Sequence, residues 1–311
     1  MRLSGLNRMA SSKVSCLLSA CVLSLAAVAP VALAREGVEV ERGTSVLARL
    51  VPAEQVEAAA QQQYLQLATE AKSQGALLPD NHPQVLRLRT IASRIIPFAM
   101  DWNPRARQWR WQVIVLNSKE LNAFCMPGGK IAFYTGILDQ LKLTDDEVAM
   151  VMGHEMAHAL REHAREQMGK TSATRMGAGL ISSLFGLGNM GDALLNMGGQ
   201  LLTLKFSRGN ESEADLVGME LAARAGYDPR AGVSLWQKMS AASKGAPPQW
   251  MSTHPSSSTR IQEIQANLPK VMPLYEKAPK PGQRFDAPRK IGAAHLAIEP
   301  LVYWGVADAS R

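Results

Sequence analysis

Cysteine is scarce, at three of 311 residues, and two of the three, Cys16 and Cys21, stand within the first 34 positions. A chain processed after that stretch keeps Cys125 alone, so no intrachain disulfide can staple it, and the cross-linked toxins and inhibitors are excluded. Aromatic residues contribute only 5%. No run of Lys and Arg is interleaved with them, which removes the usual footprint of nucleic-acid binding. There is no internal repeat of fixed period, so a solenoid is excluded. Past the N-terminal stretch no apolar run is long enough to cross a bilayer; the strongest, Met176 to Leu187, is too short.

What is present begins with a 46% hydrophobic content, enough for a sizeable core in a chain of this length. Arg2, Arg8 and Lys13 precede an apolar run from Val14 to Leu33, and Ala32-Leu33-Ala34 precedes Arg35. Basic, apolar and small-x-small in that order predict a cleavable signal peptide over residues 1–34 and a periplasmic protein. Leu18-Ser19-Ala20-Cys21 would pass as a lipidation box. The apolar run continues well past Cys21, however, so soluble export is the favoured reading over lipoprotein anchoring. Loss of the leader takes the net charge from +7 to about +4.

Along the chain, helices are expected from Pro52 to about Ala76 and from Pro83 to Ala99. Trp109 to Leu116, Ala123 to Met126 and Lys130 to Tyr134 read as strands, the last two joined by a Pro127-Gly128-Gly129 turn. Thr144-Asp145-Asp146-Glu147 has the form of a capping box and predicts a long helix to about Met168. Residues 170–206 read as a buried helical hairpin, with a mobile or membrane-facing flap as the sharper alternative. Further helices are expected from Asn210 to Ala225, Pro229 to Ala242 and Ser256 to Asn267. The prolines from Pro269 onward predict an extended tail over 270–311.

Chemistry enters with His154-Glu155-Met156-Ala157-His158. On a helix the two imidazoles lie one turn apart on one face and can reach one metal. Glu155 stands where its carboxylate can take a proton from water activated there. The pattern alone is weak evidence, but the flanking residues are apolar, and a buried His pair beside a Glu needs a partner to offset desolvation. A catalytic zinc takes three protein ligands. His163 points about 180° from His154 on a continuous helix and is read as a surface residue. Glu211 and Asp215, four apart, share a helix face. Glu211 could complete the ligand set, and Asp215 could accept the N–H of a ligating histidine and fix its tautomer.

Three segments together resemble metallopeptidase family 48, which includes the CaaX prenyl protease and HtpX-type gluzincins: His154 to His158, Ser207-Arg208 followed by Glu211-x-x-x-Asp215, and Asn122 to Gly129. The likeness spans about residues 55–268 and is strongest to soluble periplasmic members of the BepA and LoiP kind. It implies an α+β fold, mainly helical and zincin-type, with a small β-sheet beside the active-site helix. The metallopeptidase domain would cover 35–269. It further implies one Zn2+ per chain held by His154, His158 and Glu211, with Glu155 as catalytic base. His254, in Thr253-His254-Pro255 before Arg260-Ile261, would either donate to the oxyanion or bind zinc as a fourth ligand. Asn122 and Ala123 are the candidates for receiving an extended substrate at a strand edge.

The function so expected is a zinc-dependent endopeptidase of the bacterial cell envelope acting on misfolded or membrane-associated proteins. The alternative is a chaperone or assembly factor with proteolysis secondary. The partners expected are unfolded or membrane-associated proteins, with peripheral membrane contact through the apolar segment and no nucleic acid. Oligomeric state is not legible.

Overall fold

A computed structural model describes residues 35–40, 43, 45–176, 201–202, 204–243, 248–254 and 258–286. The expected leader and most of the expected 170–206 hairpin lie outside the described residues. So does the chain from 287 onward.

Two helices open the fold. α1 (Ala53–Ser73) is rich in Ala and Gln and buries Val56, Ala60, Tyr64, Ala68 and Ala71 at helical spacing. Tyr64 Oη donates to the Ile131 carbonyl at 2.9 Å and so ties α1 to the sheet. α2 (Pro83–Ile95) starts with proline at its first position, where no N–H is needed, and the His82 side chain caps Gln84 N.

The sheet has three strands, β1 (Gln112–Leu116), β2 (Ala123–Met126) and β3 (Lys130–Tyr134), in the order β1-β3-β2. β1 runs parallel to β3, with Val113 opposite Ile131. β2 runs antiparallel to β3, with Cys125 opposite Ile131. β2 is therefore an edge strand of this sheet, and it packs against α4 (Asp145–Leu160). A short helix, α3 (Thr135–Gln140), joins the sheet to α4.

α4 is the central element. Its capping box is complete: Glu147 N donates to Thr144 Oγ1 at 3.2 Å and Thr144 N to Glu147 Oε2 at 2.8 Å. Nearly every residue from Val148 to Leu160 is buried, as a helix apolar all round requires. The expected continuation to Met168 is corrected. α4 ends at Leu160, Glu162 takes a positive φ of 58°, and α5 (His163–Met176) starts afresh. A left-handed Glu costs about 1 kcal/mol. The Asn103 side-chain amide donates to the freed Leu160 carbonyl at 3.0 Å, which stabilises the break.

α6 (Arg208–Arg224) also has a capping box, Ser207 with Asn210, and lies across α4. α7 (Ala231–Ala242), the short α8 (Gln249–Thr253) and α9 (Ser258–Lys277) close the core over them. The expected extended tail from Pro269 is corrected in part: α9 runs through Pro269 and Pro273 to Lys277. Ile264, Val271 and Leu274 are buried and Leu268 packs on the same core, so tertiary burial outweighs the helix bonds that the two prolines remove. Among the described residues no helix is long and apolar enough to cross a membrane.

At the α4–α6 crossing the backbones nearly touch. A Cβ on Gly153 would lie 2.6 Å from the Gly218 carbonyl oxygen, and one on Gly218 would lie 2.5 Å from His154 N. Neither neighbour is a side chain able to swing aside. Gly153→Ala is therefore expected to cost about 1–3 kcal/mol by overpacking, seen in thermal denaturation as a fall in Tm of roughly 2–10 °C. An unchanged Tm would show that the crossing is looser than described.

Candidate metal centre

His154 and His158 project from one face of α4, and α6 brings Glu211 and Asp215 to meet them. His158 Nε2 lies 3.1 Å from His154 Nε2. Glu211 places Oε2 at 3.6 Å from His154 Nε2 and Oε1 at 3.5 Å from His158 Nε2. These separations suit ligands of one tetrahedral zinc, whose bound nitrogens stand about 3.3 Å apart. His254, at the C-terminal end of α8, joins the group, with Nδ1 at 3.0 Å from Glu211 Oε1 and 3.3 Å from His154 Nε2. Ligand atoms of all four residues lie within 4.8 Å of one another, and all four are buried. Facing imidazole nitrogens packed against a carboxylate, all nearly buried, form a donor set that fits a divalent cation.

Around this set stands a layer of fixed partners. His154 Nδ1 meets Asp215 Oδ1 at 3.0 Å, which leaves Nε2 turned to the centre. Arg260 donates Nε and Nη2 to Asp215 at 2.6 and 2.7 Å and Nη1 to Glu211 at 2.7 Å, with its guanidinium over the Trp236 ring. Glu155 is held by the Trp250 indole N–H, 2.6 Å from Oε1, and His254 Nε2 lies 3.6 Å from the same oxygen. The Trp250 and His254 rings stack at 4.9 Å.

His163 requires a correction. Read as a surface residue, it is buried, with Nδ1 at 3.0 Å from His158 Nδ1 and Nε2 at 3.1 Å from Glu213 Oε2. The break at Arg161–Glu162 is the reason, since the angle assumed for a continuous helix no longer applies. Phe206 stacks on His158 with ring centres 4.0 Å apart. Nothing in the sequence singled out Glu213 or Phe206 for the site. Nor did Trp250, four residues before His254 and one of six tryptophans in the chain, stand out.

Burial, reinforced by the neighbouring cationic forms of His154 and His254, holds the His158 imidazole well below its usual pKa, so it is neutral with a lone pair to give. Burial alone would raise Glu211 and Asp215. For Glu211 the hydrogen bond and charge of His254 outweigh it, with His154 and Arg260 adding; for Asp215 it is Arg260 and then His154. Both carboxyls are held below the ordinary range and stay ionised. His254 is displaced upward: burial opposes this, but the Glu155 and Glu211 carboxylates prevail.

The centre opens into a cavity of 390 Å3. One wall is β2, including Ala123, Phe124, Cys125 and Met126, with Asn122 just before it; Leu202, Leu204 and Phe206 form another part of the lining. Asn122 accepts from its neighbour Ala123 N at 3.0 Å, and its carbonyl accepts from Tyr134 N at 3.1 Å. Both candidate substrate residues thus line the cavity at the start of the edge strand. Burial, then the nearby Glu155 charge, pushes the Cys125 thiol upward, so it stands in the wall as a neutral group.

Comparison with known proteins agrees with this geometry. The model described as Peptidase family M48 matches residues 82–268. The mitochondrial metalloendopeptidase OMA1 of Schizosaccharomyces pombe is 36% identical over 196 residues, covering 62% of this chain and 56% of that protein. The metalloprotease LoiP of Escherichia coli is 31% identical over 212 residues, covering 65% and 78% respectively. The beta-barrel assembly-enhancing protease of Yersinia pestis is 24% identical over 205 residues, covering 60% and 39%. The chain spans 32% to 62% of the OMA1 proteins of plant and yeasts that it matches. The chain belongs to peptidase family M48, whose members are zinc-dependent metallopeptidases.

Proposed function

We propose that this protein is a zinc-dependent endopeptidase of the bacterial cell envelope that hydrolyses peptide bonds in misfolded or membrane-associated proteins. The observation that carries the chemistry is the convergence of His154 Nε2, His158 Nε2 and the Glu211 carboxylate beside Glu155, at the end of a cavity walled by an edge strand. His154, His158 and Glu211 hold the zinc. When bound, the ion supplies a Lewis acid that polarises a carbonyl and acidifies water.

Glu155 acts as the base. One of its oxygens is fixed by Trp250, so the carboxylate is aimed rather than free to rotate. It takes a proton from the attacking water and returns it to the leaving amine. The exposed edge of β2 receives the substrate backbone as an added strand, and Asn122 and Ala123 lie where that strand begins. Asp215 orients His154; Arg260 keeps Asp215 ionised, and His254, with His154 and Arg260 adding, does so for Glu211.

His254 sets the state of the enzyme. With Nδ1 among the candidate ligand atoms it would be a fourth ligand to a bound ion, and it would have to withdraw for the ion to serve catalysis. This geometry favours a latent resting form over the oxyanion-donor role. Support for the envelope setting comes from the leader-like N-terminus and from bacterial relatives, one of which is named for enhancing β-barrel assembly.

Glu155→Gln should lower cleavage of an unfolded substrate such as casein by roughly 10²–10⁴-fold while zinc content stays the same; cleavage at the wild-type rate would refute the mechanism. Full rescue of a deletion phenotype by that inactive variant would instead favour a chaperone or assembly role. His254→Ala should raise casein turnover severalfold, and a loss of turnover with zinc retained would restore His254 as an oxyanion donor. N-terminal sequencing of the periplasmic fraction should begin at Arg35, whereas an intact or lipid-modified N-terminus would contradict soluble export.

A further inference from the structure

We infer that His163 and Glu213 are positioning residues that hold His158 in the one tautomer able to bind zinc, an inference resting on the reading of His158 as a ligand. His158 Nε2 faces His154 and Glu211, and its Nδ1 faces His163 Nδ1 at 3.0 Å. Two facing nitrogens at that distance share one proton between a donor and an acceptor. The far side of His163 decides which is which. Its Nε2 lies 3.1 Å from Glu213 Oε2, and the other Glu213 oxygen accepts from Arg161 Nε at 2.5 Å.

A carboxylate paired with a guanidinium only accepts, so His163 carries its proton on Nε2 and accepts on Nδ1. His158 must then carry its proton on Nδ1, which leaves the Nε2 lone pair for the metal. In this arrangement each ring N–H has an acceptor. With His163 neutral, the opposite arrangement would set a bare His163 Nε2 against the Glu213 carboxylate in a buried site. Phe206 packs against both imidazoles, with ring centres 4.0 Å from His158 and 6.2 Å from His163.

Nothing about the fold makes this contact automatic. His163 reaches His158 only because the chain turns through the left-handed residue Glu162. Glu213 reaches His163 from α6, two residues after Glu211 and therefore on a different face from the ligand. The two metal-facing histidines are thus braced alike: His154 by Asp215 and Arg260, His158 by His163, Glu213 and Arg161.

The test uses the full chain and measures zinc affinity by competition with a chelator. His163→Leu should weaken Zn2+ binding roughly 10–100-fold, and His163→Gln, whose amide oxygen can accept from Nδ1–H, should recover most of that loss. In 15N spectra of the metal-free protein, His158 should be protonated at Nδ1 in the wild type and lose that preference in His163→Leu. If His163→Leu does not fold, Glu213→Gln is measured in its place and should also weaken zinc binding. Zinc affinity within twofold of wild type in either folded variant, or a wild-type His158 protonated at Nε2, overturns the inference. His158→Phe separates the two readings: if it leaves tight zinc binding intact, the ligand assignment falls and this inference with it. If it abolishes binding while His163→Leu does nothing, only this inference falls.

Discussion

The close passage of α4 over α6 is the constraint on which the rest of the structure depends. Helices packed through ordinary side chains stand 8–10 Å apart, and Gly153 and Gly218 remove the side chains that would enforce such a gap. The residues that matter flank this contact. His154 follows Gly153 directly and His158 lies a turn further on. Counting back from Gly218, Asp215 and Glu211 fall three and seven residues away, on the same face of α6. One crossing therefore sets the separation of two candidate ligands on one helix from a third and its neighbouring acid on the other. Both capping boxes serve the same end, because a frayed start to either helix would move the chemistry with it.

Several ionised groups are buried at the centre, and their arrangement shows how burial is offset. Arg260 answers two carboxylates at once, with three hydrogen bonds and an aromatic face beneath it, so none of the three charges is left alone in the core. A metal held there would add to a cluster that is already paired. A site built this way keeps its shape through ion pairs among its own walls as well as through the ion it holds.

Much of this was legible in the sequence, and the reasons for success and failure are physical. The two-His motif, the Glu211 and Asp215 spacing, the β2–β3 hairpin and the capping box at Thr144 are local patterns, fixed by periods of helix and strand and by short-range hydrogen bonds. The break after Leu160 is different. It is held by a tertiary contact from Asn103, and without it His163 reads as a surface residue. Pro269 and Pro273 mislead in the same way, since their local preference is overruled by the apolar residues of α9 reaching the core. Trp250, Phe206 and Glu213 reach the centre from segments whose own patterns carry no mark of it. Similarity to OMA1 was likewise not foreseen, whereas LoiP and the barrel-assembly protease belong to the expected group.

Residues outside the family's matched region are bound into the interior on both sides of it. On one side Val38 N donates at 2.8 Å to the fully buried Glu220, which also pairs with Arg224. On the other, Asp145 at the head of α4 receives Phe285 N and gives its own N–H to Asp286, while Arg284 grips Asp146. The segment that the family model matches, 82–268, is consequently smaller than the set of residues packed into one interior. A fragment cut to the matched region would leave a buried carboxylate short of a donor and the head of α4 with an unsealed end.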